Sequence, residues 1–188
     1  MPARINVAAT AQGAQAFASS SFADDTWSMP ARAAIDGDRR GAGLTREGWW
    51  NDATLYEFPD WLEVQFSGER AIDEVNLFSL QDHYQQPAEP TPDMGFSRFG
   101  ITNFHVKYWN GQSWSSLPGG QMTDNRSVWR QIRLDTPIRT SRLRVEVWDS
   151  ADSTSARMVE LEAWSASVNA HASGPPSELR YLHRGALG

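Results

Sequence analysis

The sequence predicts an all-β fold, a sandwich or jelly roll built from about eight short strands. Three observations indicate this fold. Short segments alternate apolar and polar residues with the period of a strand, and turn signals rich in Gly, Pro or Asn-Gly separate them at regular spacing. No segment keeps a helical period over roughly ten residues or more. The chain therefore reads as a series of strands joined by turns.

The N-terminal part is predicted to form short elements. Small, β-compatible residues run from Ile5 to Phe22 and break at Gly13, which predicts two short strands or one edge strand with a turn. Pro30 suits the opening of a short helical turn over Ala31–Ile35. That turn is expected to end at Asp36-Gly37-Asp38, whose residue types favour a tight polar bend.

Two alternating segments follow, and a long polar loop comes after them. Asp60–Phe66 and Ala71–Leu80 alternate as half-buried strands do, and Gly68 supplies a turn between them. Residues 81–100 are polar and contain three prolines and two glycines. A loop of this length inside a compact domain is uncommon and is often functional.

The second half of the chain is predicted to consist of hairpins. Ile101–Trp109 alternates and is followed by Asn110-Gly111, the strongest local signal for a β-hairpin. Further strands are predicted at 112–117, 127–134, 138–148 and 157–164, with a Pro-Gly-Gly turn at 118–120.

The length and the end of the pattern predict one domain and a tail. A chain of 188 residues suits a single domain with a substantial core. We predict a domain over residues 1–164 and a C-terminal tail over residues 165–188, where the strand pattern stops and a Gly-Pro-Pro break follows. The tail cannot build a core alone, so it is expected to pack on the domain or on a neighbouring chain.

Charge and cysteine content exclude several classes of function. The 17 basic and 23 acidic residues give a net charge of −6, and the basic residues are scattered. This pattern argues against a nucleic-acid partner and against an anionic membrane surface. No apolar run approaches the roughly 20 residues that span a bilayer, so no membrane insertion is expected. The absence of cysteine excludes disulfides, thiolate metal sites and cysteine nucleophiles.

An ordered set of short motifs carries a resemblance to a known family. The motifs are Asn6-Val7-Ala8, Ala18-Ser19-Ser20, Ala34-Ile35-Asp36-Gly37-Asp38, Trp49-Trp50-Asn51-Asp52, Pro59 to Phe66, Ile72-Asp73-Glu74-Val75, Phe104 to Gly111 with Trp114, Val128-Trp129-Arg130, Leu143-Arg144-Val145 and Val159 to Trp164. In this order they resemble the discoidin domain, or coagulation factor V/VIII type C domain, of the galactose-binding-like superfamily. They are most similar to its bacterial or phage branch, which is carbohydrate-binding-module-like. The resemblance implies an eight-stranded antiparallel jelly-roll β-sandwich whose loops at one end bind a ligand, commonly a terminal sugar.

The resemblance also implies a structural calcium ion beside the Asp-Gly-Asp turn. Carried onto this sequence, its ligands are Asp36, Asp38 through side chain or backbone, and Glu160 from the last strand. Carboxylates and carbonyls in a turn suit the about six to eight oxygens that Ca²⁺ takes. Arg39 and Arg40 lie beside the turn and could replace the cation by pairing with its carboxylates. A metal-free polar staple between the turn and Glu160 is the alternative.

The expected ligand end contains the residue types that recognise sugars. An aromatic face packs against the C–H side of a sugar ring, and carboxylate, amide or guanidinium groups bind its hydroxyls. Trp50 joins the candidates because two adjacent tryptophans cannot face the same side of a strand. A solvated loop that merely carries polar residues is the alternative. The candidate ligand-binding residues are Trp50, Asp82, His83, Tyr84, Phe96, Arg98, Asn125 and Arg126.

These observations predict a non-catalytic, lectin-like carbohydrate-binding module that is extracellular, on a cell surface or on a virion, and that binds a glycan or glycosylated surface. Asp82 and His83 could act as acid and base, but no nucleophile motif, phosphate loop or paired-histidine metal motif accompanies them, so an enzyme is the least favoured reading. The alternative is a structural or adhesion subunit of an assembly such as a phage virion. Its motivation is a start at methionine without a signal peptide, together with a polar tail that would contact other subunits through residues 165–188.

Overall fold

The computed structural model describes residues 3–44 and 46–166 of the chain. Within these residues the predicted all-β fold is confirmed, since they form eight antiparallel strands and no helix other than two short 3-10 helices. The 3-10 helices span Thr10–Gln12 and Ala31–Ile35, the second of them where a helical turn is predicted. The strands are β1 (Arg4–Asn6), β2 (Gln15–Ala18), β3 (Trp50–Asn51), β4 (Asp60–Ser79), β5 (Ile101–Trp109), β6 (Trp114–Met122), β7 (Trp129–Ser150) and β8 (Arg157–Ala166).

Strands β4 and β7 are long, and each contributes to both layers of the sandwich. The first half of β4 pairs with β2 and with the second half of β7, where Asp60 lies opposite Val147. The second half of β4 pairs with β8 and with the first half of β7, where Leu77 lies between Leu161 and Arg130. Strands β5 and β6 complete the first layer, and β1 and β3 pair with β8 in the second.

Two apolar clusters fill the interior. Strand alternation turns Leu62 and Val64 of β4 and Val145 of β7 into the space between the layers, and all three are 0% exposed. Burying each such side chain contributes about 1.5–3 kcal/mol. A second, smaller cluster lies outside this core and contains Met29, Trp49, Phe78, Leu80 and Val159, with loop aromatics packed against it.

The long connections meet at one end of the sandwich. Strand β4 begins and ends at this end because its register breaks and it bends back between Gln65 and Arg70. The register also pairs Ser79 with Met158 and Ile101 with Ser150, which brings the neighbouring loops to the same end. We call this the loop end; its segments are 19–30, 52–59, 80–100, 123–128 and 151–156.

Some predicted boundaries are wrong. The Pro-Gly-Gly segment at 118–120 is no turn but lies inside β6. A register shift between His105 and Lys107 of β5 accommodates it as a bulge, and Gly119 has a φ of 72°, which favours glycine. The paired strands predicted at 60–66 and 71–80, and at 127–134 and 138–148, are continuous in β4 and β7, with register shifts where turns are predicted.

The last strand extends beyond its predicted end at residue 164. Strand β8 continues to Ala166, and residues 167–188 lie outside the described residues. The expected packing of the tail on the domain or on another subunit therefore stays a prediction. Among the described residues, no helix has the length and apolar character needed to cross a membrane.

Candidate functional site

A polar cleft opens at the loop end, where four predicted ligand-binding residues come together. Its volume is about 450 Å³, and Asp82, His83, Tyr84 and Arg98 line it together with Gln85, Gln86 and Phe99. His83, Gln85, Gln86 and Arg98 are exposed, whereas Tyr84 and Phe99 are half-buried. The cleft thus offers an imidazole, two amides and a guanidinium beside two aromatic rings.

Asp82 shapes this cleft and has few free acceptor positions. Its carboxylate accepts hydrogen bonds from the backbone N–H groups of Ser97 (2.9 Å) and Arg98 (2.9 Å) and from the Ser97 hydroxyl (2.7 Å). Partial burial opposes ionisation, but these hydrogen bonds hold the pKa of Asp82 below its usual value. Asp82 therefore ties residues 97–98 to the start of the long loop and leaves Arg98 facing the cleft.

An apolar pocket adjoins the cleft and shares Tyr84 and Phe99 with it. The pocket has a volume of about 270 Å³ and is lined by Phe22, Trp27, Met29, Trp49, Asn51, Leu55, Leu80, Tyr84, Phe99, Ser155 and Arg157. The ring of Tyr84 packs edge-to-face on Trp49 at 5.7 Å and on Phe99 at 5.4 Å between centroids. The indole Nε1 of Trp49 is buried and has no hydrogen-bond partner among the described residues. The two cavities form one continuous surface that is polar on one side and aromatic on the other.

Arg157 supports the wall of the apolar pocket. Its guanidinium lies 5.6 Å from the Phe99 ring centroid, within cation–π range. It also donates to Asn51 Oδ1 at 3.0 Å and pairs with Asp152 at 3.0 Å. Because these bonds fix the guanidinium, Arg157 orients Phe99 rather than reaching into the cleft.

The structure removes Trp50 from the ligand-binding set. Trp49 and Trp50 do face opposite sides, as expected for neighbours on a strand, but both sides are packed. Trp50 is 0% exposed in the main core, and its indole N–H donates to Ser20 O at 2.9 Å. It has no face left for a sugar, and Trp49, from the second cluster, lines the apolar pocket instead.

Phe96 and Asn125 are also buried, so neither presents a surface to a ligand. Phe96 is 6% exposed and its ring packs on Gly100, where an added Cβ would come within 2.4 Å of the ring. Asn125 is 3% exposed, and its amide donates to Ile101 O at 3.0 Å and to Ser127 O at 3.2 Å. Both residues hold the loops in place.

Arg126 lies on a neighbouring loop and is not among the residues that line the cleft. Its side chain is 57% exposed and pairs with Asp124 at 3.2 Å. The backbone carbonyl of Arg126 accepts from Phe96 N–H at 2.9 Å, which joins the two loops. Arg126 therefore resembles Arg98 in exposure but differs from it in position.

Sequence reasoning misses several residues of the surface, above all Phe99, Gln85 and Gln86. They stand within one or two residues of predicted positions, so the signal was the long loop itself rather than a motif. Trp27 is a second missed aromatic, and its place in an otherwise polar loop was the available hint.

Two of the three predicted cation ligands, Asp36 and Glu160, lie close to the Asp-Gly-Asp turn. Asp36 follows the second 3-10 helix, and the backbone N–H of Gly37 donates to Glu160 Oε2 at 3.2 Å, which joins the turn to β8. The Asp38 carboxylate accepts instead from the backbone N–H groups of Arg40 (3.0 Å) and Ala42 (2.9 Å). Over the described residues, no group of three or more His, Cys, Asp or Glu side chains is arranged to hold a metal ion. The side chain of Asp38 therefore stabilises the loop, and Asp36 and Glu160 remain.

Glu160 is the most unusual acid of the fold. It is 0% exposed, and its Oε1 has no hydrogen-bond partner among the described residues. Burial, with repulsion from Asp36 and Glu162, raises the pKa of Glu160 to about 9. Desolvation, together with the charge of Asp38, also raises the pKa of Asp36. Two acids that resist ionisation in the free protein share one turn.

The two arginines do not take the place of a cation between Asp36 and Glu160. Arg39 donates from Nε and Nη2 to the two carboxylate oxygens of Glu162, at 2.6 and 3.0 Å, and lies 5.1 Å from the Phe78 ring centroid. Arg40 pairs with Asp38 at 3.3 Å. The prediction that arginines neutralise the turn is thus met only at Asp38, and within the described residues Glu160 forms no salt bridge.

Solved structures share this architecture at low sequence identity. The family 32 carbohydrate-binding module of EndoD from Streptococcus pneumoniae is similar with a TM-score of 0.63 and 14% identity, over 86% of this chain and 99% of that chain. The family 32 module of NanJ from Clostridium perfringens, in complex with galactose, gives 0.60 and 17%, over 87% and 100%. The lectin domain of lectinolysin, complexed with Lewis B antigen, gives 0.59 and 18%, over 87% and 98%. No protein-family model matches the sequence, and no curated protein matches it significantly. The similarity establishes the β-sandwich fold that these modules have.

Proposed function

We propose that this protein is a non-catalytic carbohydrate-binding module that recognises a glycan at the loop end. The observation that carries the proposal is the continuous surface formed by the polar cleft and the apolar pocket, which share Tyr84 and Phe99. The fold supports it, because similar solved structures are carbohydrate-binding modules and a lectin domain. An extracellular or cell-surface glycan is the expected partner.

The free polar groups of the cleft define how a sugar is held. His83, Arg98, Gln85 and Gln86 provide donors and acceptors for ring hydroxyls, since Asp82 is already satisfied by Ser97 and Arg98. The apolar face of the sugar packs against Tyr84 and Phe99, whose edge-to-face contact fixes both rings. An open cleft with two half-buried rings predicts weak binding to a terminal sugar or a short oligosaccharide.

A glycan array with the full chain tests the proposal. We expect binding to a restricted set of glycans, and loss of that binding in His83→Ala and in Tyr84→Ala. An array without hits, or hits that both variants retain, would contradict binding at this cleft.

We further propose a structural calcium ion at Asp36 and Glu160. The donor set suits calcium, because Glu160 Oε1 is a buried oxygen with no hydrogen-bond partner among the described residues and Asp36 adds a second carboxylate at the turn. When bound, the ion would supply a positive charge in direct contact with this pair, whereas Arg39 pairs with Glu162 and Arg40 pairs with Asp38. It would fix the turn to β8.

Thermal unfolding with and without a chelator tests the calcium proposal. At about 100-fold excess over its Kd, calcium should stabilise the protein by about 2.7 kcal/mol, or roughly 5–10 °C in Tm. Glu160→Gln should abolish this shift. Glu69→Gln, an exposed acid paired with Arg139 on the opposite end of the sandwich, is the matched control and should retain it. An equal calcium shift in Glu160→Gln would show that this site is not the one occupied.

A further inference from the structure

A second pair of buried acids lies at the loop end, apart from the Asp36 turn. Asp52 follows β3 and Asp60 opens β4, and the two are 1% and 4% exposed. Both line a cavity of about 260 Å³ together with Ser19, Ser20, Thr54, Glu57, Phe58 and Pro59. None of these residues lines the polar cleft or the separate cleft at residues 36–40 and Glu89.

The two carboxylates differ in how well they are satisfied. Asp52 accepts hydrogen bonds from the Ser19 hydroxyl (2.7 Å), the Thr54 hydroxyl (2.6 Å) and the Thr54 backbone N–H (2.8 Å). Asp60 has one oxygen, Oδ2, that is buried and has no hydrogen-bond partner among the described residues. Leaving a buried acceptor of a charged group unpaired is costly, which makes this oxygen the exception to be explained.

Nothing basic neutralises the pair. In the part of the chain that the structure describes, no arginine, lysine or histidine forms a salt bridge with Asp52 or Asp60. Burial and the neighbouring charge of Asp52 raise the pKa of Asp60 to about 7, whereas the hydrogen bonds from Thr54 and Ser19 overcome burial and lower the pKa of Asp52. The pocket therefore holds two carboxyl groups that pair with no basic side chain of the described residues.

We infer that Asp52 and Asp60 form a binding site for a hard divalent cation, Ca²⁺ or Mg²⁺. Every side-chain donor at the cavity is oxygen, from carboxylates and from the hydroxyls of Ser19, Ser20 and Thr54, and such donors suit these two ions rather than metals that prefer nitrogen or sulfur. The cavity is large enough for an ion that keeps several waters, each needing about 30 Å³. The cation would bind the Oδ2 atom of Asp60 and so provide the partner that this oxygen lacks among the described residues.

The position of the site gives the cation a structural consequence. Asp52 N–H donates to Ala156 O at 3.0 Å and Tyr56 N–H donates to Thr154 O at 2.7 Å. Residues 52–56 are therefore hydrogen-bonded to the segment that precedes β8. Leu55, in the middle of this segment, lines the apolar pocket. A cation joining Asp52 to Asp60 would fix the segment to β4 and so hold one wall of that pocket.

The experiment separates this site from the Asp36–Glu160 site by working in the Glu160→Gln background. Tm is measured at about pH 8, above the usual carboxyl range, with chelator, with Ca²⁺ and with Mg²⁺. Terbium luminescence, sensitised by nearby tryptophan, counts bound ions independently. At about 100-fold excess over Kd, we expect Ca²⁺ or Mg²⁺ to raise the Tm of Glu160→Gln by roughly 5 °C or more.

Asp60→Asn in the same background is isosteric and should remove both the Tm shift and the bound terbium. Asp52→Asn is the second variant, used if Asp60→Asn fails to show the circular dichroism of the folded sandwich. Glu57→Gln changes an acid at the exposed rim of the cavity. This variant should still bind the cation, and its affinity should fall by no more than a few-fold. The inference is overturned if Glu160→Gln shows no cation effect, which would leave a shared proton as the partner of Asp60, or if Asp60→Asn leaves the effect intact. The outcome is independent of whether the protein binds a sugar.

Discussion

Glu160 and Glu162 stand two residues apart on the same face of β8 and are almost equally buried, at 0% and 4% exposure, yet their surroundings differ completely. Glu162 accepts from Arg39 through both oxygens, from Asn76 at 3.1 Å and from Trp164 Nε1 at 2.8 Å. Glu160 accepts one backbone hydrogen bond from Gly37 and leaves an oxygen bare. The same strand therefore carries one buried acid whose oxygens are all hydrogen-bonded and another with an oxygen that has no partner among the described residues.

The difference separates structural polar groups from candidate binding groups. Satisfied acids such as Glu162 and Asp82 hold loops and strands together and have little capacity left for a ligand. Glu160 and Asp60 each have one buried oxygen that has no hydrogen-bond partner among the described residues, and such an oxygen has lost water without replacing it. We place the proposed cations at the second kind, and the proposed sugar at the free side chains around Asp82.

Breaking the hydrogen-bond network around Glu162 should give the largest loss of stability. Glu162→Gln removes the charge that pairs with Arg39 and leaves the guanidinium half-covered by Phe78 and Trp129. We expect a loss of about 3 kcal/mol in the free energy of unfolding. Glu160→Gln without calcium should cost less than about 0.5 kcal/mol or stabilise, because it replaces a buried carboxyl that has one unpartnered oxygen and whose ionised form is disfavoured by burial. Urea unfolding of both variants measures the contrast, and equal losses would refute it.

The pH dependence of stability should sharpen the same contrast. The pKa of Glu160 is about 9 in the folded protein, above its usual value of 4.5. Between these two pH values the folded state therefore binds more protons than the unfolded state. Without calcium, the free energy of unfolding should therefore fall as pH rises from about 4.5 to 9. The pKa of Asp60 is about 7 in the folded protein, above its usual value of 3.8. Asp60 should therefore add a further decrease in the free energy of unfolding that is complete near pH 7.

Variants assign the two pH windows. Glu160→Gln should flatten the curve above pH 7, and Asp60→Asn should flatten it mainly below pH 7. Calcium should stabilise the protein more at high pH than at low pH, since it binds the ionised carboxylates. A wild-type stability that rises with pH across this range in chelator would contradict the assignment of Glu160 and Asp60 as unpaired acids.

These contrasts also show what the sequence could and could not reveal. β5 was predicted at its observed bounds, Ile101–Trp109, because alternation runs unbroken up to the Asn-Gly turn. The grouping of residues 82–84 with Arg98 followed from the length and polarity of the loop. Trp50 failed because a second apolar cluster lies beneath the loops, and periodicity cannot distinguish a packed outer side from an open one.

For a similar reason, the sequence predicts the role of only some of the buried acids. Glu160 was found through its resemblance to a family motif, whereas Arg39 turning to Glu162 depends on the register of β8 against the 36–40 loop. Asp52 and Asp60 are eight positions apart in sequence, so no local pattern connects them. Their contact arises from the folding of residues 52–59 at the loop end.

Releasing the loop anchor at Asp82 should have a moderate effect. Asp82→Ala removes the bonds to Ser97 and Arg98 and should cost about 1 kcal/mol of stability, because the carboxylate is partly exposed. Sugar affinity should fall by roughly 10-fold, since Arg98 loses its fixed position. Thermal unfolding and a binding titration measure the two effects, and unchanged affinity would show that Asp82 does not position the cleft.

The most direct test of the account is a calorimetric titration of one array-identified glycan into matched arginine variants. Arg98→Ala removes an exposed guanidinium from the cleft, and Arg126→Ala removes an exposed guanidinium from the neighbouring loop, outside the lining. We predict at least a roughly 10-fold loss of affinity in Arg98→Ala, equal to about 1.4 kcal/mol, and no measurable change in Arg126→Ala. Equal affinities in the two variants, or a loss confined to Arg126→Ala, would contradict binding at the cleft formed by Asp82, His83, Tyr84 and Arg98.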